Sequence, residues 1–252
     1  MSAQQKSVDN IANNLANVST TGFKRSTIAF QDLFYEDIAV SKPGASASRI
    51  SDDSPRLQIG HGSQAVSTIR NFMQGSISET GNPLDMSISG DGFFRVEMPD
   101  GSIGYTRDGN FSRDATGMLI TNSGLPLAEQ IEVPMEAKAI EVSQDGVVSA
   151  LMNDNRKVEL GQIELARFSN PGGLEAKGGN LFGETEASGM PFVDRPGSEG
   201  FGVVRQGFLE NSNVDVVKEM VQLIEAQRAY ETNSKMVQSA EDMMSVTNSI
   251  KR

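Results

Sequence analysis

From Ser2 to Val18 the apolar positions are Val8, Ile11, Ala12, Leu15 and Val18, the spacing of one face of an α-helix. The other face carries Gln4, Gln5, Lys6, Asn10, Asn13, Asn14 and Asn17. So much Asn lowers intrinsic helicity, so this helix is expected to need a packing partner. Ser19-Thr20-Thr21-Gly22 is expected to stop it, with Gly22 as a left-handed C-cap. At the far end, Val214 to Ile250 runs without a single Pro or Gly, longer than an ordinary core helix. Its seam is Val214, Val217, Val221 and Ile224, then shifts to Ala226, Ala229, Met236, Ala240, Met243 and Ile250 in three- and four-residue steps, with Asn233 and Thr247 as polar members. Ser212 and Asp215 read as a capping-box pair at its start, and Lys251 and Arg252 suit the negative end of its dipole.

Between the helices the period changes. Phe23 to Tyr35 is a short apolar segment expected to dock on a neighbour, and Ser41 to Arg56, rich in Ser and free of aromatic residues, reads as a flexible linker or long loop. From Ser63 to about Gly207 short apolar runs alternate with Asp-Gly pairs at Asp91-Gly92, Asp100-Gly101, Asp108-Gly109 and Asp145-Gly146, which are hairpin signals. The runs are Met86-Ile88, Phe93-Val96, Ile103-Tyr105, Met118-Ile120, Ile140-Val142, Val147-Val148 and Ile163-Phe168. They predict an antiparallel β-domain, with Pro171 to Gly202 as an irregular return loop.

The expected fold is α+β: the terminal helices form a coiled-coil-like core domain, with an inserted antiparallel β-rich domain and an extended ribbon-like linker. The expected segments are 1–30 for the first helix, 31–75 for the connection, 76–205 for the β-rich domain and 206–252 for the last helix. The final helix outruns the first by roughly 30 Å at 1.5 Å per residue. An apolar stripe of that length marks an association site, so assembly is expected through Val8, Ile11, Leu15, Val18, Val217, Val221, Ile224, Ala229, Met236, Ala240, Met243 and Ile250.

Composition narrows the function. With 33 acidic and 22 basic side chains, net charge −11, nucleic acid and anionic membrane surfaces are poor partners. The absence of Cys removes thiol catalysis, disulfides and thiolate metal sites. No apolar run is long enough to insert in a membrane, and the first residues lack the apolar core of a secretory signal. The one His, His61, lies in Gly60-His61-Gly62, and no Gly-x-Ser-x-Gly surrounds any Ser. No catalytic residue, cofactor or metal ligand is assigned, and the chain is read as a non-enzyme. Asp108-x-Asn110-x-Ser112-x-Asp114 places oxygens at alternate positions as a calcium loop does, but Arg113 stands where that loop needs Gly and no Glu sits at its twelfth position. A secreted calcium-stabilised adhesin or hydrolase with a helical stalk is the alternative from another class.

The motifs point elsewhere. Asn13-Asn14-Leu15-Ala16-Asn17-Val18-Ser19-Thr20-Thr21-Gly22-Phe23-Lys24 resembles the N-terminal signature of the bacterial flagellar rod and hook family. Thr80-Gly81-Asn82-Pro83-Leu84-Asp85 with Gly90-Asp91-Gly92-Phe93-Phe94, continued by Tyr105-Thr106-Arg107-Asp108-Gly109-Asn110-Phe111, is similar to the entry to that family's β-domain. Gly207-Phe208-Leu209-Glu210-Asn211-Ser212-Asn213-Val214-Asp215 and Gln227-Arg228-Ala229-Tyr230-Glu231-Thr232-Asn233 resemble its C-terminal signature. The segment 41–74, Phe168-Ser169-Asn170-Pro171-Gly172-Gly173-Leu174 and the modest length are most similar to the distal-rod members, with hook and proximal rod members as alternatives.

The resemblance implies an axial subunit of a hollow helical tube that transmits torque, with terminal helices lining its core. Implied partners are identical copies, proximal rod proteins, hook protein and the surrounding P- and L-ring proteins, in a basal body that crosses the periplasm. It also implies export without a cleaved signal peptide, and an ordered, subunit-bridging ribbon at Ser41 to Arg56. Family members carry an apolar segment ahead of the position held here by Met1, so either a misplaced start or a shortened chain is expected.

Overall fold

In the computed structural model, residues 2–39, 56–154 and 156–250 are described. Among them, nineteen β-strands accompany two α-helices, α1 (Ser2–Ala16) and α2 (Val216–Ile250). The fold is β-dominant, which corrects the expected α+β class with a coiled-coil core. A coiled coil buries its seam in the holes of a facing helix, yet Val217, Val221, Ile224, Met236, Met243 and Ile250 are each between 50 and 79% exposed. The last buried position of α2 is Ala226. Short strands recur throughout the sequence between the helices, and they carry the core.

The chain divides into two compact units. The larger comprises Ala12–Ser26 and Arg70–Met220. Its main sheet has six antiparallel strands in the spatial order Glu175–Gly178, Leu181–Gly183, Ile103–Thr106, Phe93–Glu97, Leu165–Arg167, Phe192–Asp194. Three of these lie within the stretch expected to be an irregular return loop. A second sheet is a meander of Ala137–Val142, Val147–Met152 and Lys157–Gln162.

Strand alternation sends neighbours to opposite faces, and Phe93 and Phe94 illustrate it. Phe94 enters the main core beside Val96, Leu119 and Leu165, edge-to-face with Phe111 at 5.2 Å. Phe93 enters a separate cluster with Tyr105, Phe168 and Phe182.

Two of the four Asp-Gly pairs close hairpins: Gly101 (φ +78°) joins Phe93–Glu97 to Ile103–Thr106, and Gly146 (φ +79°) joins the first two meander strands. The other two pairs do not. Gly109 is required because a Cβ there would lie 1.5 Å from the Met86 carbonyl oxygen, a close backbone approach rather than a turn.

The smaller unit comprises Met1–Ile11, Thr27–Ile69 and Val221–Arg252. In it all but the first residue of Ser26–Asp32 runs beside all but the last of Ser63–Arg70, and Tyr35–Ala39 pairs antiparallel with Arg56–Gly60. Apart from Arg56, the segment read as linker or ribbon lies outside the described residues, as do Lys251 and Arg252.

The helix ends differ in detail from expectation. α2 is capped by Asp215 alone, whose Oδ1 accepts the N–H groups of Val217 at 3.0 Å and Lys218 at 3.3 Å. Ser212 Oγ instead accepts from Val214 N–H at 3.3 Å, so no reciprocal box forms. α1 ends at Ala16, and Gly22 lies beyond it in a later turn with φ +66°.

Candidate assembly joint

Asn14, on the last turn of α1, is buried and uses every polar atom it has. Its Nδ2 donates to the Ser26 carbonyl at 2.8 Å and to Glu219 Oε2 at 3.2 Å, while its Oδ1 accepts Ser26 N–H at 3.0 Å and Ser26 Oγ at 3.1 Å. Glu219 stands in the first turn of α2 with no exposed surface. There the helix dipole favours a negative charge, and Arg25 Nε pairs with its Oε1. Asn213 ties the same loops together, accepting from Arg25 N–H at 2.8 Å and donating to the carbonyls of Asn71 at 2.8 Å and Met73 at 2.9 Å.

Beside this lies a second buried group. Lys24 Nζ donates to Glu210 Oε1 at 2.5 Å and to the Met73 carbonyl at 2.9 Å, with both Lys24 and Glu210 sealed from solvent. Gly75 N–H donates to the same Oε1 at 2.9 Å, and Arg107 Nη1 lies 3.4 Å from Oε2. Burial draws the pKa of Lys24 down, against the pull of Glu210, and does the same to Arg107, opposed by Glu210 and Asp91. Charges this deep persist only when paired and hydrogen-bonded.

Two glycines let the segments approach. A Cβ on Gly22 would lie 2.6 Å from the Asp108 nitrogen, and one on Gly75 would lie 2.0 Å from the Asn211 carbonyl oxygen. Gly22 N–H donates to the Glu210 carbonyl at 2.8 Å.

Next to Gly22, Thr21 Oγ1 donates to Asp108 Oδ1 at 2.8 Å, and Asn180 Nδ2 donates to the Thr21 carbonyl at 2.9 Å. Burial pushes the Asp108 carboxyl up, against that hydroxyl. The Asp108 oxygen considered for calcium therefore serves the joint. The Thr80–Asp85 motif closes on itself: Thr80 Oγ1 donates to Asp85 Oδ2 at 2.6 Å and Asn82 Nδ2 to Oδ1 at 2.9 Å. Asp85 in turn pairs in a bridge with Asn110.

Among the motif residues, the fold thus gathers Asn14, Thr21, Gly22 and Asn213 into one joint, with Asn82 and Asp85 bracing the strand that follows. Gly92, Phe93 and Phe94 are buried in the sheet, and Ser212 beside α2. Asn13, Gly81, Pro83, Arg228 and Tyr230 are exposed, while Leu15, Asn17, Phe23 and Leu84 are half-buried. Of the expected helical assembly residues, Ile11 is buried, Val8, Val18, Ala229 and Ala240 are half-buried, and the large α2 side chains are exposed. Lys24, Arg25, Arg107, Glu210 and Glu219 were not singled out from the sequence. The one signal was that Lys24, Arg107 and Glu210 sit inside the motif strings, where a charge has no solvent role to explain it.

Three stretches of the chain, each contributing residues to the joint, match known families. Residues 1–24 match the flagella basal body rod protein model, 87–150 the flagellar hook protein FlgE/F/G D1 domain, and 205–250 the flagellar basal body rod FlgEFG protein C-terminal model. Across the whole chain, the flagellar basal-body rod protein FlgG of Borreliella burgdorferi is 45% identical, covering 100% of this chain and 96% of its own. The chain belongs to the flagellar rod and hook family. The FlgG proteins of Buchnera aphidicola from Acyrthosiphon pisum, 45% identical over 97% of this chain and 94% of theirs, and of Caulobacter vibrioides, 42% over 100% and 96%, agree. Membership makes it a structural subunit of the flagellar rod in the basal body. Each family stretch contributes to the joint: Asn14 and Lys24 from the first, Arg107 from the second, Glu210 and Glu219 from the third.

Proposed function

We propose that this chain is an axial subunit of the flagellar distal rod, polymerising with identical copies into a rigid hollow drive shaft that carries torque from motor to hook. Full-length identity with basal-body rod proteins FlgG carries this reading. The apolar side chains left open along α2, with Met236, Met243 and Ile250 the most distal of the expected set, support it, because a stripe of this kind is covered by association. Other copies cover Val217, Val221, Ile224, Ala229, Met236, Ala240, Met243 and Ile250, and α1 adds Val8, Ile11, Leu15 and Val18.

The segments act as an N-terminal part at 1–30 that carries α1, a connection at 31–75, a β-rich part at 76–205 and a C-terminal part at 206–252 that carries α2. Proximal rod proteins below, hook protein above and ring proteins around the shaft complete the partners, and the subunit reaches them by export without a cleaved signal peptide. The joint serves mechanically. Its buried ion pairs fix the turn after α1 and the start of α2 to the sheet, so load arriving at those two points passes into the β-part. It performs no catalysis.

Electron cryomicroscopy of basal bodies purified from cells whose only copy is this chain tests the proposal. Density for the chain in the rod segment next to the hook, with α2 packed on neighbouring copies, is the expected result. Basal bodies with a complete rod from which the chain is absent would overturn it.

A further inference from the structure

Arg107 has more hydrogen-bonding capacity than its surroundings use. Its side chain is 3% exposed, Glu210 is its ion-pair partner at 3.4 Å, and its Nε–H meets no acceptor among the described residues. Glu210 is already held by Lys24 at 2.5 Å. One buried carboxylate thus faces two buried cations.

Arg107 lines a cavity of about 330 Å³ in the larger unit, near the lower end of the range that accepts a ligand group. Phe72, Phe93, Phe168 and Phe192 line it too. Phe93 stands edge-to-face with Phe72 at 5.4 Å and Phe168 at 6.0 Å, and the Arg107 guanidinium lies 5.2 Å from its ring centre. A second cation, Arg167, lines the same cavity; its guanidinium lies 5.5 Å from the Phe201 ring centre, and its side chain has no ion pair among the described residues. The acid of the lining is Asp91. Lys24, Arg107 and Arg167 against Glu210 and Asp91 leave one positive charge in excess. Guanidinium donors beside aromatic walls suit one planar anion, and a carboxylate fits their paired N–H geometry.

We infer that this cavity receives an aspartate or glutamate side chain from a second copy of the chain. The chain carries 33 acidic against 22 basic residues, so another copy offers carboxylates widely, and the cavity is cationic on an acidic molecule. The rim is apolar and open. Phe192 is 56% exposed at the start of the strand that ends the six-stranded sheet, and Met190 just before it is more exposed still. An acidic segment lies across this rim while its carboxylate reaches the guanidinium groups. The choice of a second copy rests on the polymer reading above; the choice of a carboxylate does not.

Two experiments separate these. In the first, a photo-crosslinking residue replaces Phe192 in the full chain, basal bodies are purified and irradiated, and cross-linked peptides are identified by mass spectrometry. The expected product joins position 192 to an Asp- or Glu-containing peptide of another copy, falls about tenfold in Arg167→Gln, as loss of a charge-assisted hydrogen bond implies, and survives in Arg167→Lys. A chain present in the rod whose cross-link goes to a different protein, is absent, or is unchanged in Arg167→Gln overturns the inference while leaving the rod reading standing. In the second, 3-phenylpropionate is titrated into the isolated chain by NMR. Saturable binding that Arg167→Gln weakens is expected. No saturable binding, or equal binding of the neutral 3-phenylpropionamide, overturns the carboxylate assignment whatever the rod contains. The melting temperature of each isolated variant establishes that it folds.

Discussion

Lys24 and Glu210, 186 positions apart in the chain, meet at 2.5 Å with both side chains sealed from water. Because Glu210 also faces Arg107, the two ends of this contact are not equivalent. Lys24→Met leaves Glu210 with a remaining cation, whereas Glu210→Gln leaves the Lys24 ammonium without its carboxylate and Arg107 with Asp91 alone. Breaking a buried pair from one side costs about 3–5 kcal/mol. Glu210→Gln is expected to reach that range and Lys24→Met to fall below it, measured by urea unfolding of the isolated chain.

Gly22 and Gly101 share a positive φ, +66° and +78°, but not their surroundings. Gly101→Ala has open space around the new Cβ and is expected to cost only the left-handed backbone penalty of about 1–2 kcal/mol. Gly22→Ala drives its Cβ to 2.6 Å from the Asp108 nitrogen and 2.7 Å from the Arg107 carbonyl carbon, so the joint must open. Thermal melts of the two variants should differ clearly, with Gly22→Ala losing the more stability.

Glu129 gives the chain a pH dependence. Burial pushes its carboxyl up to about 7, and Arg95, 3.8 Å away, donates its hydrogen bond to Glu164 at 2.5 Å instead. The native state keeps a proton that the unfolded chain, with an ordinary carboxyl of 4.5, has lost. Stability from this group is full below the unfolded value and is lost as pH rises through about 7. Glu129→Gln should remove that loss. Relative to the parent it gains up to about 3–4 kcal/mol at alkaline pH, at about 1.4 kcal/mol per pKa unit, and nothing at about pH 4, read from denaturation at several pH values.

The far half of α2 has few buried contacts, so it opens at low cost in an isolated chain. Amide hydrogen exchange should be fast from Tyr230 to Ile250 in the free subunit and slow in the assembled rod. Met243→Asp, at an exposed position, should shift the stability of the free chain by no more than about 0.5 kcal/mol yet stop rod growth, seen by electron microscopy.

The β-part was legible because its period is local. The Phe93-Phe94 doublet, the alternating runs and the turns at Gly101 and Gly146 all announce themselves within a few residues. Gly92 and Gly109 look identical in sequence to those turn glycines, but Gly92 holds φ +143° without closing a hairpin, and Gly109 is required by the Met86 carbonyl oxygen, which lies far back along the chain. No window of residues holds that information. The strands between Pro171 and Gly202 were hidden by their brevity and by the Gly residues around them. The length of the final helix was plain, and its lack of an internal partner was expected, but the paired-helix core inferred from it was not formed. Lys24, Glu210 and Glu219 carry no local signal of burial because each is neutralised by a residue remote in sequence. Only their place inside the recognisable motifs hinted otherwise.

The bond between positions 24 and 210 also works as a test of completeness. A polypeptide cut short before position 210 would hold its Lys24 ammonium against a carbonyl with no acid to neutralise it, and could not lock its first helix to the sheet. Such a fragment would leave the turn after α1 untied and open to proteolysis, so this one contact marks the finished molecule.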